Sequence, residues 1–399
     1  MNFPLRRSFL LAALGAGSLG AQVPVPTFKT VDVDTKIQIG YGVCVADVNG
    51  DRRPDILLAD KSTIVWYENP SWKKHVMAEQ LTPKDHVCIA AQDIDGDGKC
   101  EVAVGAGWNP GDTLNSGAVF YLIPPADRTQ KWEAVALPHE PTVHRMRWVK
   151  DKTGGYRLLV VPLHGRGNKA ATGEGAGVKS LLYSPPKNPR DPWQTEVLDD
   201  ALHKTHNLDP VQWDQDSGDE VLLASKEGIF LLDPSSQPHR IQISDGKFGG
   251  SGEVRLGKGP KSGGTQRFAA TVEPMHGNTL AVYTPSAGGK STDLWTRHVL
   301  DESLLEAHAL ACGDLAGSGR DQIVVGWRGG AKPGGKVGIK LFTALDAAGE
   351  KWQSTLVDDN GMACEDLCLA DLNGDGRLDI IAAGRATKNL KVYLNQGTK

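Results

Sequence analysis

The chain has 399 residues, 40% of them hydrophobic and 23% charged, and a formal charge of -4. This is enough apolar material for one large core or several ordinary ones, which excludes a disordered polymer; the balanced charge, with no Lys/Arg block, excludes a broad nucleic-acid surface. The 47 glycines and 23 prolines, unaccompanied by long helical periodicity, favour many short strands joined by turns.

Residues 1–21 place Arg6 and Arg7 before an apolar run that starts at Phe9, then small residues around Gly20 and Ala21. This is the outline of a bacterial export signal. The RRSFL core resembles a twin-arginine signal, and a Sec signal with two chance arginines has the same outline. No other stretch reaches the roughly 18 apolar residues of a membrane span, so a periplasmic or secreted soluble domain over 22–399 is expected. Cys44, Cys312 and Cys368 recur because their place in a repeat recurs, and they read as buried small hydrophobes; Cys364 and Cys368 are the pair most open to a disulfide.

The repeat is visible in VADVNGDRRPDILLA (45–59), AQDIDGDGKCEVAVG (91–105), LADLNGDGRLDIIAA (369–383) and the worn CGDLAGSGRDQIVVG (312–326). Each copy continues with a third strand and then a fourth that begins near a tryptophan. Three degenerate copies fill the middle, giving seven units. The last lacks a fourth strand, and PTFKTVDVDTK near the N-terminus supplies one. The expectation is an all-β, seven-bladed β-propeller of four-stranded blades, its ring closed by the N-terminal strand so that no sheet edge is left open.

Three loops between first and second strands carry alternating oxygen ligands and a later acid: Asp47, Asn49, Asp51, Asp55; Asp93, Asp95, Asp97, Glu101; and Asp371, Asn373, Asp375, Asp379. Hard oxygens with glycines for the sharp turn suit Ca²⁺, and a metal-free Asx-rich turn is the plain alternative. No helical pattern flanks these loops, so they are not EF-hands. They resemble the calcium loops of FG-GAP (VCBS-like) propellers. Ala316 and Ser318 have lost the carboxylates, and that loop is expected to bind nothing.

Residues that start first strands, and those joining second to third strands, must gather on the opposite face. There stand His86, His144, His206, His308, Glu253 and Glu365, and from the second set Trp108, His164 with Arg166, His276, Trp327 with Arg328, and Arg385. Six of the eleven histidines share these two addresses. Clustered imidazoles suit a divalent metal, Zn²⁺ or Mg²⁺, and equally suit proton transfer.

PTVHRMRWV, VEPMHGNTLAVYTP with WTRHVLD, and AHALACGDLAGSGRDQIVVGWRG resemble the propeller domain of the aldos-2-ulose dehydratase family. The resemblance implies a metal-assisted dehydration of a ketosugar in the propeller. It extends to His144, His206, Glu273, His276 and His308. A cupin domain follows the propeller in that family and carries an isomerisation; here the chain reaches Lys399 directly after blade seven, so that step is expected to be absent. On this reading His144 or His206 is the base and Glu273 and His276 complete the catalytic set. His276 and His308 are metal ligands or the leaving-group acid, with His86 and His164 as further ligands. Arg145, Arg166 and Arg328 hold sugar hydroxyls or a carboxylate, and Trp108 and Trp327 offer stacking faces. A small sugar or glycan is the expected partner. A polysaccharide lyase acting on uronates and a non-catalytic propeller binding glycan or protein at the cell surface are the alternatives.

Overall fold

The computed structural model describes residues 24–236, 240–259, 267–286, 288, 290, 293–330, 334–346 and 349–398. The expected export signal, residues 1–21, lies outside them.

Seven four-stranded antiparallel sheets follow one another around an axis. Their innermost strands are Gly42–Ala46, Cys88–Gln92, Val143–Lys150, Thr205–Val211, Val254–Lys258, Ala307–Gly313 and Cys364–Ala370. Within blades one to six the order is sequential. Blade seven contributes three strands of its own, and Pro26–Asp34 pairs antiparallel with Asn389–Thr398 as the fourth. The expected closure is therefore the observed one. It leaves Asn389–Thr398 paired on both sides, and Pro26–Asp34 becomes the outer strand of that blade, hydrogen-bonded along one side. Among the described residues no helix occurs, and none is long and apolar enough to cross a membrane.

The sequence of each strand follows from its place in the blade. Second strands such as Glu220–Ser225 (EVLLAS) are buried along their whole length, because both faces pack against neighbouring blades, and they accordingly read as near-continuous apolar runs. Fourth strands such as Gln194–Asp199 (QTEVLD) lie on the rim and are mostly exposed. The core is a set of clusters between adjacent blades, exemplified by Trp66, Met77, Val102, Val104 and Leu122 between blades one and two. Each fully buried aliphatic side chain there contributes about 1.5–3 kcal/mol. The recurring tryptophans latch the rim: the indole N–H of Trp132, Trp193 and Trp352 donates to the carbonyls of Arg128, Pro189 and Gly349 at 3.1, 3.0 and 2.8 Å.

All six cysteines are free thiols, Cys364 and Cys368 included. Cys88, Cys100 and Cys364 are buried. Cys44, Cys312 and Cys368, half-buried, line an 890 Å³ cavity at the acidic-loop end of the axis, together with Arg147 and Arg255. The buried-hydrophobe reading of Cys44, Cys312 and Cys368 is thus corrected: they are channel lining, because first strands face the axis.

The acidic loops brace their hairpins. Asp55, fully buried, accepts the N–H groups of Val48 (3.0 Å) and Asn69 (2.9 Å), and Asp379 does the same for Leu372 (3.0 Å) and Asn395 (2.8 Å). Glu101 takes Ile94 N–H at 3.0 Å. In the worn loop Gln322 replaces the acid and accepts from Ala316 at 2.9 Å, so the brace survives without the charge. Half-buried Asp47, Asp93 and Asp371 each accept backbone N–H groups of their own turn. Blade four carries a further loop of this kind, in which Asp214, Asp216 and Glu220 converge as Asp93, Asp95 and Glu101 do. Its signal, DQDSGDE, stands in the sequence, with Gln212 where the others have their first aspartate.

Candidate active site

The face opposite the acidic loops opens into a cavity of about 460 Å³, lined by residues of blades one, two, three, five, six and seven. Its histidines are aimed by β-bulges. The regular pairing of the first and second strands breaks between Val143 and Arg145, Thr205 and Leu208, Ala307 and Ala309, and Cys364 and Asp366. His144, His206, His308 and Glu365 sit in these breaks. A bulge rotates the extra residue out of the ladder, which turns these side chains towards the axis.

Each bulged histidine is then fixed by the following blade. His144 Nδ1 donates to the His206 carbonyl at 2.8 Å, His206 Nδ1 to Gly252 O at 2.8 Å, and His308 Nδ1 to Glu365 O at 2.6 Å. Because a backbone carbonyl only accepts, the proton of each neutral ring is on Nδ1, leaving Nε2 unprotonated. His276 arrives from the turn between second and third strands of blade five. Its backbone is in the left-handed region (φ 53°), and its ring stands at the exposed mouth. The next residue must be glycine, since a Cβ on Gly277 would lie 2.2 Å from Glu273 O. His276 Nε2 reaches His206 Nε2 at 2.6 Å, and one ligand atom each from His206, His276 and His308 lies within 4.8 Å of the other two. His144 flanks this triad, its ring 4.6 Å from that of His206 and stacked at 4.9 Å on Trp108.

These imidazoles are neutral at pH 7. Burial, reinforced by the Arg145 charge, pushes His206 down to about 3, and burial with Arg145 and His206 holds His144 well below the usual range. Burial and the Arg328 charge do the same to His308, and crowding in the funnel with His206 and Arg328 depresses His276. Three neutral imidazoles, two with the far nitrogen held by a backbone carbonyl, are a donor set that fits Zn²⁺ or a related nitrogen-seeking ion. They do not fit Mg²⁺, which prefers oxygen ligands. That narrows the expected pair of metals to zinc-like ions.

Several expected site residues lie elsewhere. Glu273 is buried inside blade five, accepting Tyr283 O–H at 2.6 Å and Arg297 Nε–H at 2.8 Å, because the sheet alternation that sends it there points away from the axis. His86 precedes an unbulged strand; its ring is fully buried, bonded to Leu81 N–H at 3.3 Å, and Val87 takes the lining place. His164 is buried in the wall beside Lys204, outside the triad, and burial pushes it down to about 4. Trp327 is buried among blade-five and blade-six side chains, with its N–H on Lys336 O. Arg166 is half exposed and paired with Glu140 at 3.1 Å. Arg145, Arg328 and Trp108 do line the cavity.

Sequence reasoning missed Tyr41 and Glu306. Tyr41 stands at the start of blade one and donates to Asp85 at 2.9 Å; Glu306 pairs with Arg328 at 3.4 Å. Tyr41 had a signal, its register one residue ahead of a first strand, but no histidine there to draw attention.

Residues 116–286 match the family described as aldos-2-ulose dehydratase, beta-propeller domain, and residues 41–104 match an FG-GAP-like repeat. A curated relative, aldos-2-ulose dehydratase of Phanerodontia chrysosporium, is 24% identical over 351 residues, which is 80% of this chain and 37% of the relative. The propeller is similar to that of aldos-2-ulose dehydratase. The family match spans His144, His206 and His276 and stops short of His308, so three of the four clustered histidines fall within the aldos-2-ulose dehydratase segment. The chain spans little more than a third of that relative's length. Among solved structures, BBS1N in complex with ARL6DN (14% identity, TM-score 0.56, 93% of this chain and 97% of that one) and a chain of a mitotic checkpoint complex (13%, 0.56, 99% of both) share the fold.

Proposed function

We propose that the funnel is the active site of a carbon–oxygen lyase that removes water or an alkoxide from a ketosugar or keto-glycoside by β-elimination, in an exported protein. The observation that carries this is the set of neutral imidazoles with unprotonated Nε2 atoms converging at a cavity of about 460 Å³, the size of a small-molecule site. The similarity to a dehydratase propeller supports the reaction class.

His206, His276 and His308 would hold a zinc-like ion. When bound, such an ion polarises a carbonyl and stabilises negative charge on its oxygen. His144 stands outside that set, its orientation locked by His206 O and the Trp108 ring, with Nε2 unprotonated. It can therefore take the proton from the carbon next to the carbonyl. The electron pair of that C–H bond becomes the new C=C, the C–O bond at the β carbon breaks, and the proton now on His144 leaves with the departing oxygen. One imidazole thus balances the step, contributing about 10²- to 10⁴-fold. The acidic loops bind Ca²⁺ on this reading and serve stability alone.

The test is a panel of 2- and 3-keto-sugars and keto-glycosides given to the purified protein with Zn²⁺, Mn²⁺ or Mg²⁺, read as an ultraviolet-absorbing enone. His144→Ala and His276→Ala should lose the signal while keeping the wild-type circular dichroism. Wild-type protein inert across the panel would end the proposal.

A further inference from the structure

Arg145 follows His144 directly, is 3% exposed and lines the funnel. Its Nη1 touches the Val87 carbonyl at 3.4 Å, a weak contact, while Nε and Nη2 are buried with no hydrogen-bond partner among the described residues. The other two guanidinium groups lining the cavity are neutralised by the protein. Arg328 bonds Glu365 at 2.9 Å and Glu306 at 3.4 Å, and Arg385 bonds Glu365 at 2.8 Å. No ion pair within 4 Å joins Arg145 to a carboxylate among the described residues; the buried Glu253, which pairs with Arg255 at 3.9 Å, and Asp366 act on it only from farther away.

A buried guanidinium with no carboxylate in contact is costly to hold, and the more distant Glu253 and Asp366 offset that only in part, so Arg145 is not a contact ion pair of the empty fold. Its neighbouring imidazoles cannot compensate it, since a neutral ring carries no negative charge. Hydroxyl groups of a neutral sugar could accept its N–H groups but bring no charge into contact with it. A planar fork with unused donors matches a carboxylate, which accepts two parallel N–H bonds and neutralises the guanidinium at once.

We infer that the funnel takes a sugar acid, with Arg145 as the specificity residue that pairs with its carboxylate. This names the substrate class of the site proposed above and rests on that reading only for the reaction that follows binding.

Binding to the full-length metal-free protein tests it by calorimetry at low salt, with glucuronate, glucose and glucose 1-phosphate as probes. Wild type should bind glucuronate at least tenfold more tightly than glucose, and 0.5 M NaCl should erode that preference. Arg145→Gln should abolish it, Arg145→Lys should keep part of it, and Arg190→Gln, at an exposed arginine paired with Glu133 outside the cavity, should leave it unchanged. Equal affinity for glucuronate and glucose in wild type would overturn the inference whether or not Arg145→Gln folds. So would a preference that survives in folded Arg145→Gln, or tighter Arg145-dependent binding of the phosphate than of the acid. Elimination from neutral ketosugars without acid preference would sink this inference and leave the reaction class standing. Arg145-dependent acid binding with no elimination from any keto-sugar or sugar acid would do the reverse.

Discussion

The two ends of the axis are built on opposite plans. At one end, Asp55, Asp379 and Glu101 accept backbone N–H groups of their own blades, so these three loops are braced from within and the same solution repeats. At the other end, His144, His206 and His308 lean on carbonyls of the following blade, and what they present to the cavity is left over from structure. Repetition builds the frame, and departures from it build the site. The bulges make the difference concrete, because blades one, two and five pair without a break at the first strand and send no first-strand histidine into the funnel.

The comparison breaks most readily under substitution. His206→Ala should lower elimination by about 10³-fold, the size of a lost metal ligand or positioned base, with little change in secondary structure. Asp51→Asn at the far end should leave turnover within about twofold. Comparable losses at both ends would mean that the functional division is wrong. For stability the order reverses. Asp379→Ala removes an acceptor from two buried N–H groups and should cost about 3 kcal/mol in urea unfolding, more than His276→Asn, where the new residue tolerates the left-handed backbone and the change should stay within about 1 kcal/mol.

The two ends also answer pH in opposite senses. His206, held at about 3 in the fold against an ordinary value near 6.5, resists protonation when folded, so its share of stability is lost as pH falls from about 6.5 towards 3. Burial raises Asp55 to about 6 and Glu101 to about 7, so in metal-free protein these acids favour the protonated fold and cost stability as pH rises from about 4 to 7. Melting temperature against pH in EDTA should lose part of its acid-side fall in His206→Asn and part of its neutral-side fall in Glu101→Gln; Ca²⁺ should suppress the second and not the first. The smallest effect is calorimetric. Because the triad is already neutral, Zn²⁺ uptake at pH 7 should show the same enthalpy in buffers of different ionisation heat, since no proton is displaced.

The sequence by itself determined the ring: seven copies of one pattern, the N-terminal strand that completes the last, and a face on which His144, His206, His276 and His308 would meet. It could do so because blade geometry repeats, and equal register means equal placement around an axis. Register fails where a strand departs from ideal pairing. His86 and His144 look alike in sequence, but only the second falls in a bulge, and Glu273 lies one sheet face away from the funnel that its neighbour His276 reaches. Those outcomes depend on hydrogen bonds between blades and on the alternation of a particular strand. The unpaired state of Arg145 is likewise tertiary, since it is set by which carboxylates of other blades come near, and Glu365 and Glu306 go to Arg328 and Arg385 instead.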